Sequence, residues 1–347
     1  MVKSSYNESL IELLDTITIQ LDRYAANFIF LFGVVGNVLN IFVLSQRTFR
    51  SNSCAWIFLA SSFVNLISIV SGLITVMIGG WTTNPANTIG WICKLRAHIV
   101  FSTRTIAPWL IVLATIDRWL LSSINAIRRR KSTLKNAQRW TAVIIILSML
   151  LYAQMFYCYE ANLTDTPLQC YDKTAVCRYL TDLSFGGIAV VAPLMLMILF
   201  GLLTIINVRE TQHRVQSLTR GNSACGTSRS SIATSGRSQG KSTHRTQHSL
   251  LRMLFVQVAV LSILTVPLSL DRFYSTFSSD NGSAVNIAIN SFIYNAAILL
   301  YFISNGMPFY IYTMCGGSVF HKALYDFLFM MKRKLMLTLL NSSVCCN

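Results

Sequence analysis

AHIVFSTRTIAPWLIVLATI, residues 97–116, is a run of 20 residues with a single charged side chain, Arg104. Wound as an α-helix at about 1.5 Å per residue, such a run is roughly 30 Å long, the thickness of the hydrocarbon core of a bilayer. Six further runs contain no Asp, Glu, Lys or Arg at all: Tyr24 to Leu44, Cys54 to Trp81, Trp140 to Tyr159, Leu183 to Val208, Met253 to Leu270 and Val285 to Tyr312. Helices are the reading these runs support. Lipid offers no partner for a free N–H or C=O, and the runs lack the two-residue alternation of a membrane barrel. The expected fold is all-α: a seven-transmembrane helix bundle.

The composition agrees with a lipid-embedded chain. Of 347 residues 53% are hydrophobic and 12% charged, and the mean hydropathy is +0.52. A net charge of +16 raises the question of nucleic acid, but the basic residues here punctuate long uncharged runs instead of covering one wet face, so nucleic acid is not an expected partner. Assigning residues 45–53, 117–139, 209–252 and 313–347 to one side of the membrane gathers 21 Lys and Arg against three acids there; the other side holds seven bases and ten acids. The positive-inside rule makes the basic side cytoplasmic and the amino terminus extracellular. The sequons at Asn7, Asn162 and Asn281 then fall outside, as candidate glycosylation sites in a plasma-membrane protein, while the one at Asn341 falls inside.

The expected organisation is a polar extracellular segment over 1–23 with no cleavable signal, the bundle over 24–312, and a cytoplasmic helix and tail over 313–347. The Ser-, Thr- and Gly-rich basic stretch 209–248 reads as a disordered third inner loop. After the seventh run, Phe320, Leu324, Phe327, Leu328 and Met331 recur at helical spacing, which predicts a short amphipathic helix on the inner leaflet, in contact with membrane lipid. Cys345 and Cys346 near its end are palmitoylation candidates. No metal-ligand cluster, activated nucleophile or phosphate-binding loop appears at useful spacing. Neither an enzyme nor a cofactor is expected.

The third run is the most informative. Cys93 and Arg118 lie 25 residues apart, about 37 Å of helix, so one sits at each membrane boundary. At about 100° per residue the two side chains point within roughly 20° of each other, and Arg104 within roughly 40° of Arg118. A charge in a membrane helix turns toward the bundle interior, so this shared face is the inward one.

Asp117-Arg118-Trp119, placed 25 residues after Cys93, resembles the Asp-Arg-Tyr motif of rhodopsin-like (class A) G-protein-coupled receptors. The likeness extends to Asn37 within Gly36-Asn37-Val38-Leu39-Asn40, to Pro193 and Pro267 in the fifth and sixth runs, and to Pro308-Phe309-Tyr310-Ile311-Tyr312 closing the seventh. The resemblance implies a cell-surface receptor that binds an extracellular ligand and activates a heterotrimeric G protein. In it Asp117 holds Arg118 at rest, Arg118 swings toward the G protein on activation, and Tyr312 joins that rearrangement. It also implies a disulfide from Cys93 to the second outer loop, with Cys170 favoured and Cys177 the alternative. Departures stand beside it. Asn65 replaces the usual aspartate of the second helix, Pro308 an asparagine of the seventh, Ala107 a small polar residue of the third, and Thr265 the usual tryptophan of the sixth. Val100 stands where receptors for amines carry aspartate, and the seventh helix has no lysine for a Schiff base. A peptide ligand, in the style of divergent invertebrate neuropeptide (FMRFamide-like) receptors, is what the likeness favours. Val100, Arg104 and Thr265 are candidate pocket residues, with Arg104 expected to meet an acidic or carbonyl group of the ligand. A transporter or channel, or a seven-helix protein that binds without signalling, is the alternative.

Overall fold

A computed structural model describes residues 2–79, 81, 85–163, 169–223, 234–277 and 284–344. Seven helices in it are long and apolar enough to cross a membrane: Asn7–Leu44, Ser53–Gly79, Gly90–Ser122, Leu134–Cys158, Ala175–Thr211, Arg252–Tyr274 and Ala284–Gly306. The protein is a multi-pass, all-α membrane protein built as a seven-helix bundle. Most spans outrun the uncharged stretches that mark them, because a helix continues through the interfacial layers after charged residues become tolerable.

The third span is the axis of the bundle. Its most apolar window is 78% buried, against 28 to 56% for the others, which present aliphatic side chains such as Leu31, Leu147, Leu202 and Ile263 outward. So broad an apolar exterior suits lipid and not water. The interior divides into two clusters. One lies at the Cys93 end around Ile69, Leu73, Phe101, Tyr152, Phe185 and Phe302; the other lies toward the Arg118 end around Phe58, Leu110, Ile111, Tyr312 and Phe320.

In the polar N-terminal segment Val2–Gln20 is helical and runs through a π-helical turn, Leu21–Ala25, into the first span. Three expectations need correction. The stretch 209–248, read as disordered, is helical to Ser223 and again from Thr234, as extensions of the fifth and sixth spans; residues 224–233 lie outside the described set. The seventh run divides at Met307, and a new helix, Pro308–Cys315, starts with Pro308 in its first turn, where the missing N–H costs no helical bond. A helix over Gly317–Val344 follows, longer than the short amphipathic one expected.

Two local features shape the Cys93 end. The fifth span begins as an α-helix, Ala175–Leu183, and then widens into a π-helix, Ser184–Val191, that ends two residues before Pro193; the wider turn accommodates a ring that cannot donate to the preceding turn. Between the fourth and fifth spans, Tyr159–Glu160 pairs antiparallel with Tyr171–Asp172, Tyr159 opposite Asp172. Two disulfides pin this hairpin, Cys93–Cys170 to the third span and Cys158–Cys177 between the fourth and the start of the fifth. Cys177 is therefore not the partner of Cys93. The even number of cysteines at this end was the available signal for a second bond.

Candidate functional site

Polar side chains converge at two places inside the bundle, one at each end of the third span. At the Cys93 end a cavity of about 230 Å³ is lined by Arg96 and Arg104 of the third span, Arg272 of the sixth, Tyr294 and Phe302 of the seventh, and Asp22 of the first. Tyr159 and Tyr171 of the hairpin form its roof. Val100 lines it as well. Thr265, the third expected pocket residue, does not: it is buried elsewhere on the sixth span, its hydroxyl donating to the carbonyl of Leu261 at 2.7 Å.

Arg104 is 5% exposed and lies against aromatic rings, with Cζ 4.7 Å from the ring centre of Tyr301, 5.4 Å from Phe302 and 6.0 Å from Phe101. Cation–π contacts of this kind contribute about 0.5 to 2 kcal/mol each when desolvated. Among the described residues its Nε has no hydrogen-bond partner, and neither has Nε of Arg96. Asn65, which stands where the resemblance expects an aspartate, lines a separate pocket of about 10 Å³ with Ser61, Gln257 and Asn305.

Arg272 was missed by the sequence reading, which closed the sixth run at Leu270. Nη1 donates to Oδ1 of Asp182 at 3.2 Å and Nη2 to the Tyr294 hydroxyl at 2.9 Å, so a single guanidinium ties the fifth, sixth and seventh spans. Its Cζ also stands 5.7 Å from the Phe101 ring of the third. Asp172 in the hairpin accepts from the Thr181 hydroxyl at 3.0 Å. Burial pushes its carboxyl up from the ordinary 3.8 to about 6, outweighing the Arg272 charge and the Thr181 bond, which pull it down. Burial likewise pushes the Tyr159 and Tyr171 phenols up.

At the opposite end Asp117 and Arg118 form a buried ion pair, Nη2 to Oδ2 3.0 Å. The Asp117 carboxylate also accepts from Ser53 at 2.8 and 2.9 Å and from Ser132 at 2.6 Å, and Arg118 donates to Asn52 at 3.2 Å. This is a charge satisfied from the second helix and the following loop as well as from its neighbour. Trp119 packs 5.2 Å from Phe200 of the fifth span. Tyr312 is wholly buried, 4.9 Å from the Phe58 ring, and its hydroxyl donates to Gln257 of the sixth span at 2.7 Å. Between the two ends a chain of amides ties the first, second and seventh spans: Asn37 donates to the Asn305 carbonyl at 3.0 Å, Asn305 to Ser68 at 3.2 Å and Asn40 to Ser62 at 2.8 Å.

Pro267 lies inside the sixth helix. Asn162 is exposed, in the left-handed region at φ 61°, with Asn7 half-buried in the first helix; Asn281, Cys345 and Cys346 lie outside the described residues. A larger hollow of about 850 Å³ opens on the lipid-facing flank between the third, fourth and fifth spans, but its walls are almost wholly apolar and it does not meet the arginine cavity. Among the described residues no three His, Cys, Asp or Glu stand together as a metal site.

No protein-family model matches the chain, and no curated protein matches it in sequence.

Proposed function

We propose that this seven-helix protein is a cell-surface receptor of the rhodopsin-like kind, with the Cys93 end outside the cell and the Arg118 end facing the cytoplasm. An extracellular ligand enters the arginine-lined cavity, and a heterotrimeric G protein engages the opposite end. The observation that carries this reading is the third span itself. One central helix presents Arg104 to a roofed polar cavity and, 14 residues further along, Asp117 and Arg118 to a second buried polar cluster. A ligand that shifts the Phe302, Tyr301 and Arg272 contacts acts on the sixth span, which carries Gln257, and on the seventh, which leads into the helix of Tyr312. Differential binding to the two arrangements then moves the equilibrium between them.

In the resting arrangement Arg118 is held by Asn52 and by Asp117, whose carboxylate is itself fixed by Ser53 and Ser132. Release requires loss of these bonds, so G-protein contacts must offset a charge-assisted network worth about 1.5 to 3 kcal/mol per bond. The favoured ligand is a peptide, on resemblance alone.

The test is nucleotide exchange on purified heterotrimers by the full-length protein in nanodiscs, against a peptide library, with Arg118→Ala as control. Ligand-dependent exchange abolished by Arg118→Ala supports the reading. Uptake or current that survives Arg118→Ala, without exchange, replaces it with a transporter or channel. Sidedness is checked separately: an epitope inserted at residue 230 stains only after permeabilisation, and staining of intact cells inverts the topology.

A further inference from the structure

We propose that the cavity at the Cys93 end is built for a monoanion, a carboxylate carried on an aromatic or aliphatic body. This deepens the receptor reading and rests on it for the identity of the site as the ligand's. Three guanidiniums, those of Arg96, Arg104 and Arg272, line one small space with a single carboxylate, Asp22. Arg272 is engaged by Asp182, while Arg96 and Arg104 share the cavity wall with Asp22 as its carboxylate. A buried guanidinium with an unmade bond is among the costlier groups a protein can hold, and it persists where a partner completes it. Both Arg96 and Arg104 keep a buried Nε with no partner among the described residues.

The guanidiniums call for an anion, and the largely aromatic walls suit a carboxylate on an apolar body better than a strongly hydrated phosphate. The lining sets the rest of the ligand: Phe101, Tyr159, Tyr171, Tyr294 and Phe302 surround the arginines and offer flat apolar faces with few free acceptors. Arg104 and Arg272 stand on the Phe101 ring at 6.0 and 5.7 Å, so the two cations are spaced by one aromatic ring and their field overlaps in the cavity. In a water-poor site that field repels a second cation strongly. A peptide of the Arg-Phe-amide kind brings a guanidinium and no carboxylate, and is disfavoured here, against the ligand style that the sequence resemblance suggested.

Matched probes test this on the full-length protein in nanodiscs of zwitterionic lipid. The probes are 3-(4-hydroxyphenyl)propionate, its primary amide, and tyramine, each at up to about 10 mM, with melting temperature as readout. The carboxylate raises Tm saturably, the amide less, and the amine not at all. Arg104→Gln and Arg96→Gln weaken carboxylate binding at least about 10-fold, as loss of a charged hydrogen bond requires, while Arg104→Lys retains part of it. A free-acid tetrapeptide and its amidated twin then separate a peptide terminus from a small organic acid as the source of the carboxylate. Equal shifts from acid and amide, any shift from the amine, no shift from the acid, or an acid shift untouched by Arg104→Gln overturns the proposal. Nucleotide exchange separates the two readings: acid binding intact with no exchange from any member of the library sinks the receptor and leaves the site, whereas a cationic agonist does the reverse.

Discussion

Replacing Asp182 by asparagine removes the carboxylate that accepts from Nη1 of Arg272, and keeps the shape of the side chain. Asp182 has no exposed side-chain surface and Arg272 has 5%, so the surface-pair figure of about 0 to 1 kcal/mol does not apply. Breaking one partner of a buried pair costs about 3 to 5 kcal/mol, since the surviving charge stays desolvated. Nη1 meets Oδ1 at 3.2 Å, and Arg272 retains the Tyr294 hydroxyl, which places Asp182→Asn near the lower figure, about 3 kcal/mol. Unfolding in detergent by heat or denaturant, with ligand absent, reads the loss. A cycle with Arg272→Met and the double variant Asp182→Leu/Arg272→Met isolates the coupling, because the double variant removes both charges from the interior and recovers most of the stability. A cost under about 1 kcal/mol for Asp182→Asn, or single-variant costs that simply add, refutes the view that this pair clamps the fifth, sixth and seventh spans.

Asp172 gives the protein a pH dependence of defined sign. Its folded-state pKa of about 6 lies above the ordinary 3.8, so between these values the folded chain holds a proton the unfolded chain has lost; stability is highest at the acid end and falls as pH rises through the window, by up to about 3 kcal/mol, and Asp172→Asn flattens that part of the Tm–pH curve. A difference curve of opposite slope contradicts the burial argument. Gly72→Ala puts a Cβ 2.3 Å from the tip of the Phe302 ring, which lies against Arg104; the ring has to move, at about 1 to 3 kcal/mol, and ligand potency falls with it, whereas Gly187→Ala, whose Cβ meets nothing, leaves potency unchanged. Cys158→Ser and Cys177→Ser lower surface expression equally and the double variant no further, as partners do; a double variant worse than either refutes the bond.

The seven spans were legible because lipid demands long uncharged runs and little else produces them. The inward face of the third helix was legible too, since rotation per residue alone brings Cys93, Arg104 and Arg118 together, and all three are at most 5% exposed. The arginine cavity was legible only in part. Delimiting helices by the absence of charge ended the sixth run two residues before Arg272 and began the fifth one residue after Asp182, so the criterion that found the bundle discarded its buried ion pair. Arg96 and Asp22 fell outside their runs for the same reason. Thr265 was placed by analogy with a large aromatic residue; a threonine at that position is short enough to bond its own helix backbone and stay out of the cavity. The second disulfide needed knowledge of which cysteines the hairpin brings together, and a hairpin of two-residue strands leaves little pattern to read.

The two disulfides interleave along the chain, and this bears on how the protein is made. Cys93 is synthesised first, and the next of the four to follow it is Cys158, which in the finished protein belongs to Cys177. Four cysteines allow three pairings, and the earliest bond available to a growing chain is a wrong one. Neither correct bond can form before Cys170 has been made, by which time four spans have emerged. A premature Cys93–Cys158 link is undone only by attack of a later thiolate, a reaction of seconds to hours that isomerases accelerate. Yield in a heterologous host should therefore follow the host's capacity to reshuffle disulfides more closely than its capacity to form them.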